Sequence, residues 1–193
     1  MTDRYHAAVA AIDEANAGDP TTVLVDGEPT PTALAHGRLA AHWVGVLDAG
    51  ADEVRLLAAR AHHLRRWASP RTDYPDGRAG YLRWRAAAKK RHAEELGSIL
   101  AAAGYGPDDA ARAGAIVRKE GLATDAAVQV HEDAVCLAFL GTQLDALADD
   151  LGDDRTIEVL RKTAGKMSAA GLALAGDVGL SARGLTLVHA ALA

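Results

Sequence analysis

Residues 126–151 read AAVQVHEDAVCLAFLGTQLDALADDL and carry the clearest fold signal in the chain. Apolar side chains recur in this stretch every three or four residues, which is the period of a helix with one buried face. Thr124 and Asp125 stand just before it, and both residue types are favoured at helix N-caps. The stretch therefore predicts a long amphipathic helix, and the same periodicity dominates the rest of the sequence.

The remaining sequence divides into similar stretches. We expect helices over residues 3–17, 32–50, 53–67, 81–103 and 107–121, another beginning near residue 153, and a last one over 181–192. Glycine and proline interrupt the pattern at residues 21–30, where Val23 to Val25 favours one extended segment, and at residues 68–79. The pattern predicts an all-α protein, a single compact bundle of seven to eight helices in one domain over residues 1–193.

Composition limits the class of protein. The chain has 193 residues, 49% hydrophobic content and a formal net charge of -5, which suits one core and disfavours a long polyanionic partner. Its one cysteine, Cys136, cannot form an internal disulfide, so we expect a reducing compartment. The N-terminus lacks a signal-peptide layout, and no apolar run reaches the roughly 20 residues that span a bilayer. We expect a soluble cytoplasmic protein with no membrane partner.

Four ionisable residues lie on the apolar stripes of separate predicted helices. They are His63, His92, Glu120 and Asp133. Burying an ionisable side chain costs folding free energy unless it bonds another such group or a metal ion. His62 lies about 100° from His63 on the predicted helix, so we interpret it as peripheral. The pattern predicts a metal site or a proton-transfer site inside the bundle.

The residue types favour a metal. Two imidazoles and one or two carboxylates are common ligands for Zn, Mn or Fe, and helical bundles hold such sites in their cores. We predict that His63, His92 and Asp133 hold a divalent metal. Glu120 is the expected fourth ligand or general base, and Asp133 is also a candidate catalytic group.

Two alternatives stay open for this cluster. Glu132 competes with Asp133 as the inward carboxylate, and Glu94 is close enough in sequence to His92 to complete the site. The cluster also has a structural explanation, in which each histidine bonds a backbone carbonyl and Asp133 pairs with a lysine or arginine from another helix.

Residues 64–92 combine many arginines with aromatic side chains in a protein that has 4% aromatic content. Guanidinium groups bind carboxylate or phosphate, and aromatic rings stack on bases or on arginine. We predict an anion-recognition loop; its substrate-binding residues are Arg65, Arg66, Trp67, Arg71, Tyr74, Arg78, Trp84 and Arg85. Alternatively, Trp67 and Trp84 anchor the loop to the core. A nucleic-acid surface is possible, but the negative net charge favours a small anion.

Several short segments, of which the central ones are the most specific, resemble those of a known family. The segments concerned are residues 61–67 (AHHLRRW), 70–71, 74–75, 78–85 (RAGYLRWR), 90–94 (KRHAE), 104–105, 117–120 (VRKE), 129 with 132–133, 160–163 (LRKT) and 166–168 (KMS). They resemble an uncharacterised family of bacterial and fungal proteins, the domain of unknown function DUF4202, over nearly the whole chain. Some members carry a glutamyl-tRNA synthetase label, but this sequence lacks the motifs and the size of such an enzyme. The family typically has one histidine where this chain has two; His63 matches it and His62 is a departure.

A more distant similarity concerns the order of the candidate ligands. His63, His92 and a late Asp133 are similar in order to the metal ligands of HD-type phosphohydrolases, which implies an HD-like helical fold and a divalent metal. In that family a His-Asp pair follows the first histidine, whereas Ala93 follows His92 here. The resemblance therefore leaves the site one carboxylate short unless Glu120 or Glu94 replaces it.

Together these features predict a metal-dependent hydrolase that acts on a small anionic substrate, such as a phosphorylated metabolite or nucleotide. Two alternatives remain: a non-catalytic module that binds an anion or RNA, and a metal-independent lyase or an iron-dependent oxygenase that uses the same cluster. The Ala-rich C-terminal helix suggests a homodimer surface.

Overall fold

The structure, a computed structural model, describes residues 1–25 and 27–193. Its helices are α1 (Asp3–Ala17), α2 (Thr32–Leu47), α3 (Glu53–Arg60), α4 (Gly77–Ala102), α5 (Pro107–Arg118), α6 (Ala126–Leu151), α7 (Asp153–Ala164), α8 (Ala169–Ala173) and α9 (Ala182–Leu192). Single 3-10 turns lie at Arg66–Ala68 and Arg71–Asp73. The prediction of an all-α bundle is confirmed.

Helix α6 lies at the centre of the bundle, with α2, α3, α5, α7, α8 and α9 packed around it. Its apolar residues Val128, Leu137 and Leu144 are buried, as the periodicity predicts. Burying a side chain of this kind stabilises the fold by about 1.5–3 kcal/mol. Asp125 caps the helix by accepting hydrogen bonds from the backbone N–H groups of Ala127 and Val128. The central helix therefore follows from its apolar stripe and its cap.

A small hairpin interrupts the helices between α1 and α2. Strand β1 (Thr22–Val25) pairs antiparallel with β2 (Glu28–Pro31), with Val23 opposite Thr30. The sequence predicts the extended segment but not its partner strand. Asp26, which the sequence places in the intervening turn, lies outside the described residues.

The predicted helix over residues 53–67 is wrong beyond Arg60. Helix α3 ends at Arg60, and residues 61–65 form turns before the 3-10 turn at 66–68. The Ala61 N–H bonds the carbonyls of both Leu57 and Ala59, which tightens the last helical turn. Helical spacing therefore does not apply to His62 and His63.

Helices α2 and α3 approach each other closely at Gly37. A Cβ atom built on Gly37 would lie 2.3 Å from the Arg60 carbonyl oxygen, a separation that no side chain tolerates. Gly37 directly follows His36, and Arg60 is two residues before His62. This backbone contact thus brings the start of α2 against the end of α3.

Within residues 1–25 and 27–193, no helix combines the length and the apolar character needed to cross a membrane.

Candidate functional site

Three histidines converge where α2 meets the turn after α3. His36 belongs to α2, and His62 and His63 belong to the turn at 61–65. One ring nitrogen from each of the three lies within 4.8 Å of the others. The ring centroids of His62 and His63 are 4.0 Å apart, and those of His36 and His63 are 5.2 Å apart. Such a cluster could hold a metal ion.

The hydrogen bond of His62 fixes its tautomer. Its Nδ1 lies 3.0 Å from the Ala59 carbonyl oxygen. A carbonyl only accepts, so Nδ1 carries the proton and Nε2 carries the lone pair. That Nε2 is buried and has no hydrogen-bond partner among the described residues. Metal-binding histidines commonly show this arrangement, in which one nitrogen donates to a carbonyl and the other coordinates.

Thr142 fixes the tautomer of His36 in a similar way. Its hydroxyl donates its single proton to the Ala138 carbonyl oxygen at 2.7 Å and lies 2.8 Å from His36 Nε2. The hydroxyl must therefore accept a hydrogen bond from Nε2–H, which leaves the lone pair on Nδ1. His36 Nδ1 is buried and finds no partner in the described part of the chain. Two coordinating lone pairs are thus prepared beside His63.

Burial keeps these imidazoles neutral. It is the main reason that the pKa of His36 falls to about 4, and the Arg66 guanidinium lowers it further. The pKa values of His62 and His63 lie well below the usual range, first because of burial and then because of neighbouring histidines and cations. Neutral imidazole is the form that binds metals.

Two further histidines flank the cluster. The ring of His92 is centred 6.5 Å from that of His63, and the ring of His131 is centred 6.3 Å from that of His62. Both are buried. Neither ring nitrogen of His131 has a partner among residues 1–25 and 27–193, and the Leu64 backbone is the one group that approaches the His92 ring there as a hydrogen-bond partner. Burial lowers the pKa of His92 to about 4 and that of His131 to about 3, with cationic neighbours adding to the effect. The interior thus holds five neighbouring histidines.

The cluster opens into a cavity of about 530 Å³. His36, His62, His63 and His92 line one part of it. The cations that line it are Arg66, Arg85, Lys89, Lys119, Lys162 and Lys166. Glu132 is the one carboxylate among the described residues that line it. A chain of net charge -5 therefore surrounds its histidine cluster with positive charge, which favours an anionic ligand.

Aromatic rings hold the two arginines of the cavity. The Arg66 guanidinium lies 4.5 Å from the ring centre of Trp84, and the Arg85 guanidinium lies 5.6 Å from that of Tyr81. The indole N–H of Trp84 donates to the Ser69 carbonyl oxygen at 2.8 Å, which fixes the ring. These stacks present both cations to the cavity.

Lys119 and Glu132 form an ion pair at the cavity wall. Glu132 is only 4% exposed, and Lys119 has a left-handed backbone with φ 62° at the C-terminus of α5. A lysine in this conformation costs about 1 kcal/mol or more, and such strain concentrates at functional sites. Glu132, which the sequence left as a competitor of Asp133, is thus the acid that reaches the cavity.

The structure does not bring Asp133 and Glu120 to the histidines. Asp133 accepts hydrogen bonds from the Ser168 N–H at 2.8 Å, the Ser168 hydroxyl at 2.5 Å and Gln129 Nε2 at 3.0 Å, which satisfies its carboxylate. Glu120 is exposed and bonds Arg118 Nε at 2.6 Å, which lowers the pKa of its carboxyl. Of the predicted metal ligands, only His63 and His92 line the cavity.

Only some of the predicted substrate-binding residues line the cavity. Arg66 and Arg85 line the cavity, whereas Arg65 and Trp67 line a separate surface groove. Arg71 bonds the backbone carbonyls of Tyr74, Pro75 and Gly77 and so fixes its own loop. The remaining members are Tyr74, Arg78 and Trp84, none of which lines the cavity. Trp84 is next to the cavity through Arg66, whose guanidinium stacks on its ring.

Comparison with known proteins gives a family but no function. Residues 6–188 match the family described as "Domain of unknown function (DUF4202)". The chain belongs to the DUF4202 family. The match includes the five histidines and every cation of the cavity. No curated protein and no solved structure matches this DUF4202 chain.

Sequence reasoning missed several cavity residues of this DUF4202 protein. The predicted helix over residues 53–67 places His62 at the periphery, but the real helix ends at Arg60, so this placement is wrong. His36 occupies a buried position in the apolar run ALAHG, so the same search for ionisable residues on apolar stripes could have found it. Lys162 is exposed at the end of α7, and Lys166 is exposed in the turn that follows it. No local pattern distinguishes these two lysines from other surface lysines.

Proposed function

We propose that this DUF4202 protein is a metal-dependent hydrolase for a small anionic substrate, such as a phosphorylated metabolite or nucleotide. One observation carries the proposal: three neutral histidines, two of which have an unpartnered buried ring nitrogen, converge at the wall of a cavity that six cations line. Three histidines suit Zn best, and they also suit Mn or Fe. The cations suit a substrate whose charge is negative.

The metal ligands in this proposal are His36 Nδ1, His62 Nε2 and a ring nitrogen of His63. This set replaces His63, His92 and Asp133, because the Asp133 carboxylate already accepts hydrogen bonds from Ser168 and Gln129. A divalent metal would supply Lewis acidity, which polarises a phosphoryl oxygen and lowers the pKa of water to about 7. His92 lies next to His63 on the cavity wall and could hold a hydrogen-bonded water or substrate oxygen.

The other cavity residues bind and orient the substrate. Arg66 and Arg85 present planar guanidinium groups that suit a phosphoryl group. Val117, Val135 and Phe139 give the cavity an apolar wall that limits its water content. In this proposal Glu132 exchanges a proton with the substrate or with water, and its ion pair with Lys119 orients the carboxylate. Glu132 thus replaces Glu120 as the proposed general base.

Metal analysis of the purified protein tests the proposal. We expect stoichiometric metal by mass spectrometry after dialysis, and its loss in His62→Ala and in His63→Ala. His189→Ala is the matched control because His189 is exposed and does not line the cavity. Hydrolysis of p-nitrophenyl phosphate should stop with a chelator and return with added metal. A folded protein that binds no added Zn, Mn or Fe would contradict the proposal.

One observation favours a second function, a non-catalytic module that binds an anion. The carboxylate of Glu132, the one acid among the described residues that line the cavity, is already paired with Lys119 and so is not free to act as a general base. This function predicts that phosphate binding is insensitive to chelators. It also predicts that Glu132→Gln leaves phosphate binding unchanged, whereas the hydrolase loses turnover in that variant.

A further inference from the structure

The cations of the cavity fall into two groups. Arg66 and Arg85 form the arginine subsite, beside the histidines. Lys162 and Lys166 form the lysine subsite, at the end of α7 and in the turn after it. Lys89 lies between them, one helical turn after Arg85 on α4. The two groups are on different elements, since α4 packs against α1 and α5 whereas α7 packs against α6 and α9.

The arginine subsite has no anion of its own. Arg66 is half-buried, and no carboxylate among the described residues forms an ion pair with it or with Arg85. The charged groups that act on the Arg66 guanidinium include the cations Arg85 and Arg91, and burial together with these cations lowers its pKa. A partly desolvated cation among cations is costly unless an anion joins it.

The positive charge of the lysine subsite is also not balanced by a carboxylate among the described residues. Neither Lys162 nor Lys166 has an ion-pair partner in the part of the chain that the structure describes, whereas the nearby charge of Lys119 is met by Glu132. Lys89 donates to the Arg118 carbonyl oxygen at 3.2 Å. Its pKa is lowered by burial first and then by Lys119, Arg85 and, more weakly, Lys166. Lys89, Lys119 and Lys166 all line the cavity, so positive charge extends from one subsite towards the other.

The size of the cavity argues against one small anion as its ligand. A volume of about 530 Å³ lies within the range of roughly 300–1,000 Å³ that is typical of sites for organic ligands. An inorganic phosphate would fill a small part of it and would leave one subsite without an anion. Val117, Val135 and Phe139 line the same cavity and suit an uncharged organic portion.

We propose that the substrate of this cavity is an organic bisphosphate, with one phosphoryl group at the arginine subsite and the other at the lysine subsite. This inference rests on the proposed function, because it names the substrate class of the same site. The phosphoryl group at the arginine subsite is the one beside the histidines. The phosphoryl group at the lysine subsite contributes binding energy and orientation.

Calorimetry with fructose 1,6-bisphosphate and fructose 6-phosphate tests the inference on the full chain in the presence of a chelator. We expect the bisphosphate to bind at least tenfold more tightly than the monophosphate. The double variant Lys162→Gln/Lys166→Gln should reduce this ratio to about twofold or less, and Arg85→Gln should do the same. The control is Arg83→Gln/Arg155→Gln, which removes two exposed cations from α4 and α7 that do not line the cavity.

Several outcomes would overturn the inference. Equal affinities for the two sugar phosphates, or no binding of the bisphosphate at 10 mM, would contradict two subsites. An equal loss in the control variant would show that net charge, and not the two subsites, explains the preference. The lysines are exposed, so their variant should fold, and thermal melting checks this. Metal analysis separates the two proposals: bisphosphate preference in a folded protein that binds no added metal upholds the subsites and contradicts the hydrolase.

Discussion

The Thr142 hydroxyl lies 2.8 Å from His36 Nε2 while it donates its own proton to the Ala138 carbonyl oxygen. Thr142 and His36 are 106 residues apart in the chain. The threonine therefore determines which nitrogen of His36 is protonated, and it does so from α6, the central helix of the bundle. Through this bond the core controls the orientation of a proposed metal ligand.

Thr142→Val should weaken metal binding without unfolding the protein. Valine has the same shape but cannot accept the Nε2–H bond, so His36 loses the interaction that fixes its tautomer and its ring. Loss of such an outer partner typically lowers metal affinity by about 10–100-fold. Titration with Co²⁺, followed by its visible absorption, gives the affinity. Thr156→Val is the control, because the buried Thr156 hydroxyl makes a similar bond to the Gly152 carbonyl oxygen in α7. Equal affinities in both variants would disprove the positioning role.

Asp133→Ala should destabilise the fold and leave the metal in place. The variant loses two hydrogen bonds from Ser168, which join α6 to the N-cap of α8, and one from Gln129 within α6. Hydrogen bonds to a buried charged group of this kind are worth about 1.5–3 kcal/mol each, so the two bonds from Ser168 alone predict a loss of at least about 3 kcal/mol in urea unfolding. Metal stoichiometry under native conditions should stay that of the wild type. Loss of metal with unchanged stability would restore Asp133 as a ligand.

Cys136 should be unreactive in the native protein. Burial is the main cause that raises the pKa of its thiol to about 12, and the nearby carboxylate of Glu132 adds to the rise. The thiol is therefore protonated at neutral pH, whereas thiolate is the form that alkylating reagents attack. Iodoacetamide at pH 7.5 should label Cys136 only after denaturation, as mass spectrometry would detect. Rapid native labelling would show that the cavity wall opens at this residue.

Arg71→Gln should loosen the segment between α3 and α4. Its guanidinium bonds the carbonyls of Tyr74 and Pro75 at 2.8 Å each, and the variant leaves these groups to water. We expect faster cleavage by trypsin after Arg78 and a stability loss of about 1–3 kcal/mol. Affinity for phosphate should fall only indirectly. Arg78→Gln, at an exposed position, is the control for stability. A large loss of phosphate affinity in a stable Arg71→Gln protein would support the predicted contact with substrate.

Acid should weaken the cap of α6. The bond from Arg112 is the main cause that lowers the pKa of Asp125 to about 2, below its usual value near 4. Because the folded-state pKa is the lower one, the stabilisation is present above pH 4 and is lost as the pH falls from 4 towards 2. The Asp125→Asn variant should therefore lose less stability than the wild type over this range. Parallel slopes of unfolding free energy against pH would contradict this.

Helix α6 could be predicted from sequence almost to the residue, because its apolar period and its cap are both local signals. The end of α3 could not. The segment after Arg60 keeps a helical apolar pattern in Ala61 and Leu64, which are buried in the core from a turn. The error at this one point placed His62 on the wrong face. The wrong position of this one helix terminus is therefore the reason that the sequence does not predict His62 as a site residue.

The other cavity residues depend on contacts between distant segments. His36 and His62 are 26 positions apart in the chain, and the contact between α2 and α3 brings them together. His63, His92 and Asp133 each interrupt an apolar stripe in the sequence. In the structure His63 and His92 line the cavity, whereas Asp133 is buried against Ser168. A sequence shows that a polar group is buried, but its partner depends on the tertiary packing.

Gly37 has a consequence for the mutations that the protein can tolerate. Even alanine there would require the backbones of α2 and α3 to separate, because the added methyl group would collide with the Arg60 carbonyl oxygen. That separation would widen the spacing between His36 and the two histidines that follow α3. A change of one hydrogen to a methyl group, at a residue that does not line the cavity, is therefore expected to abolish the proposed coordination while most of the hydrophobic interior stays intact.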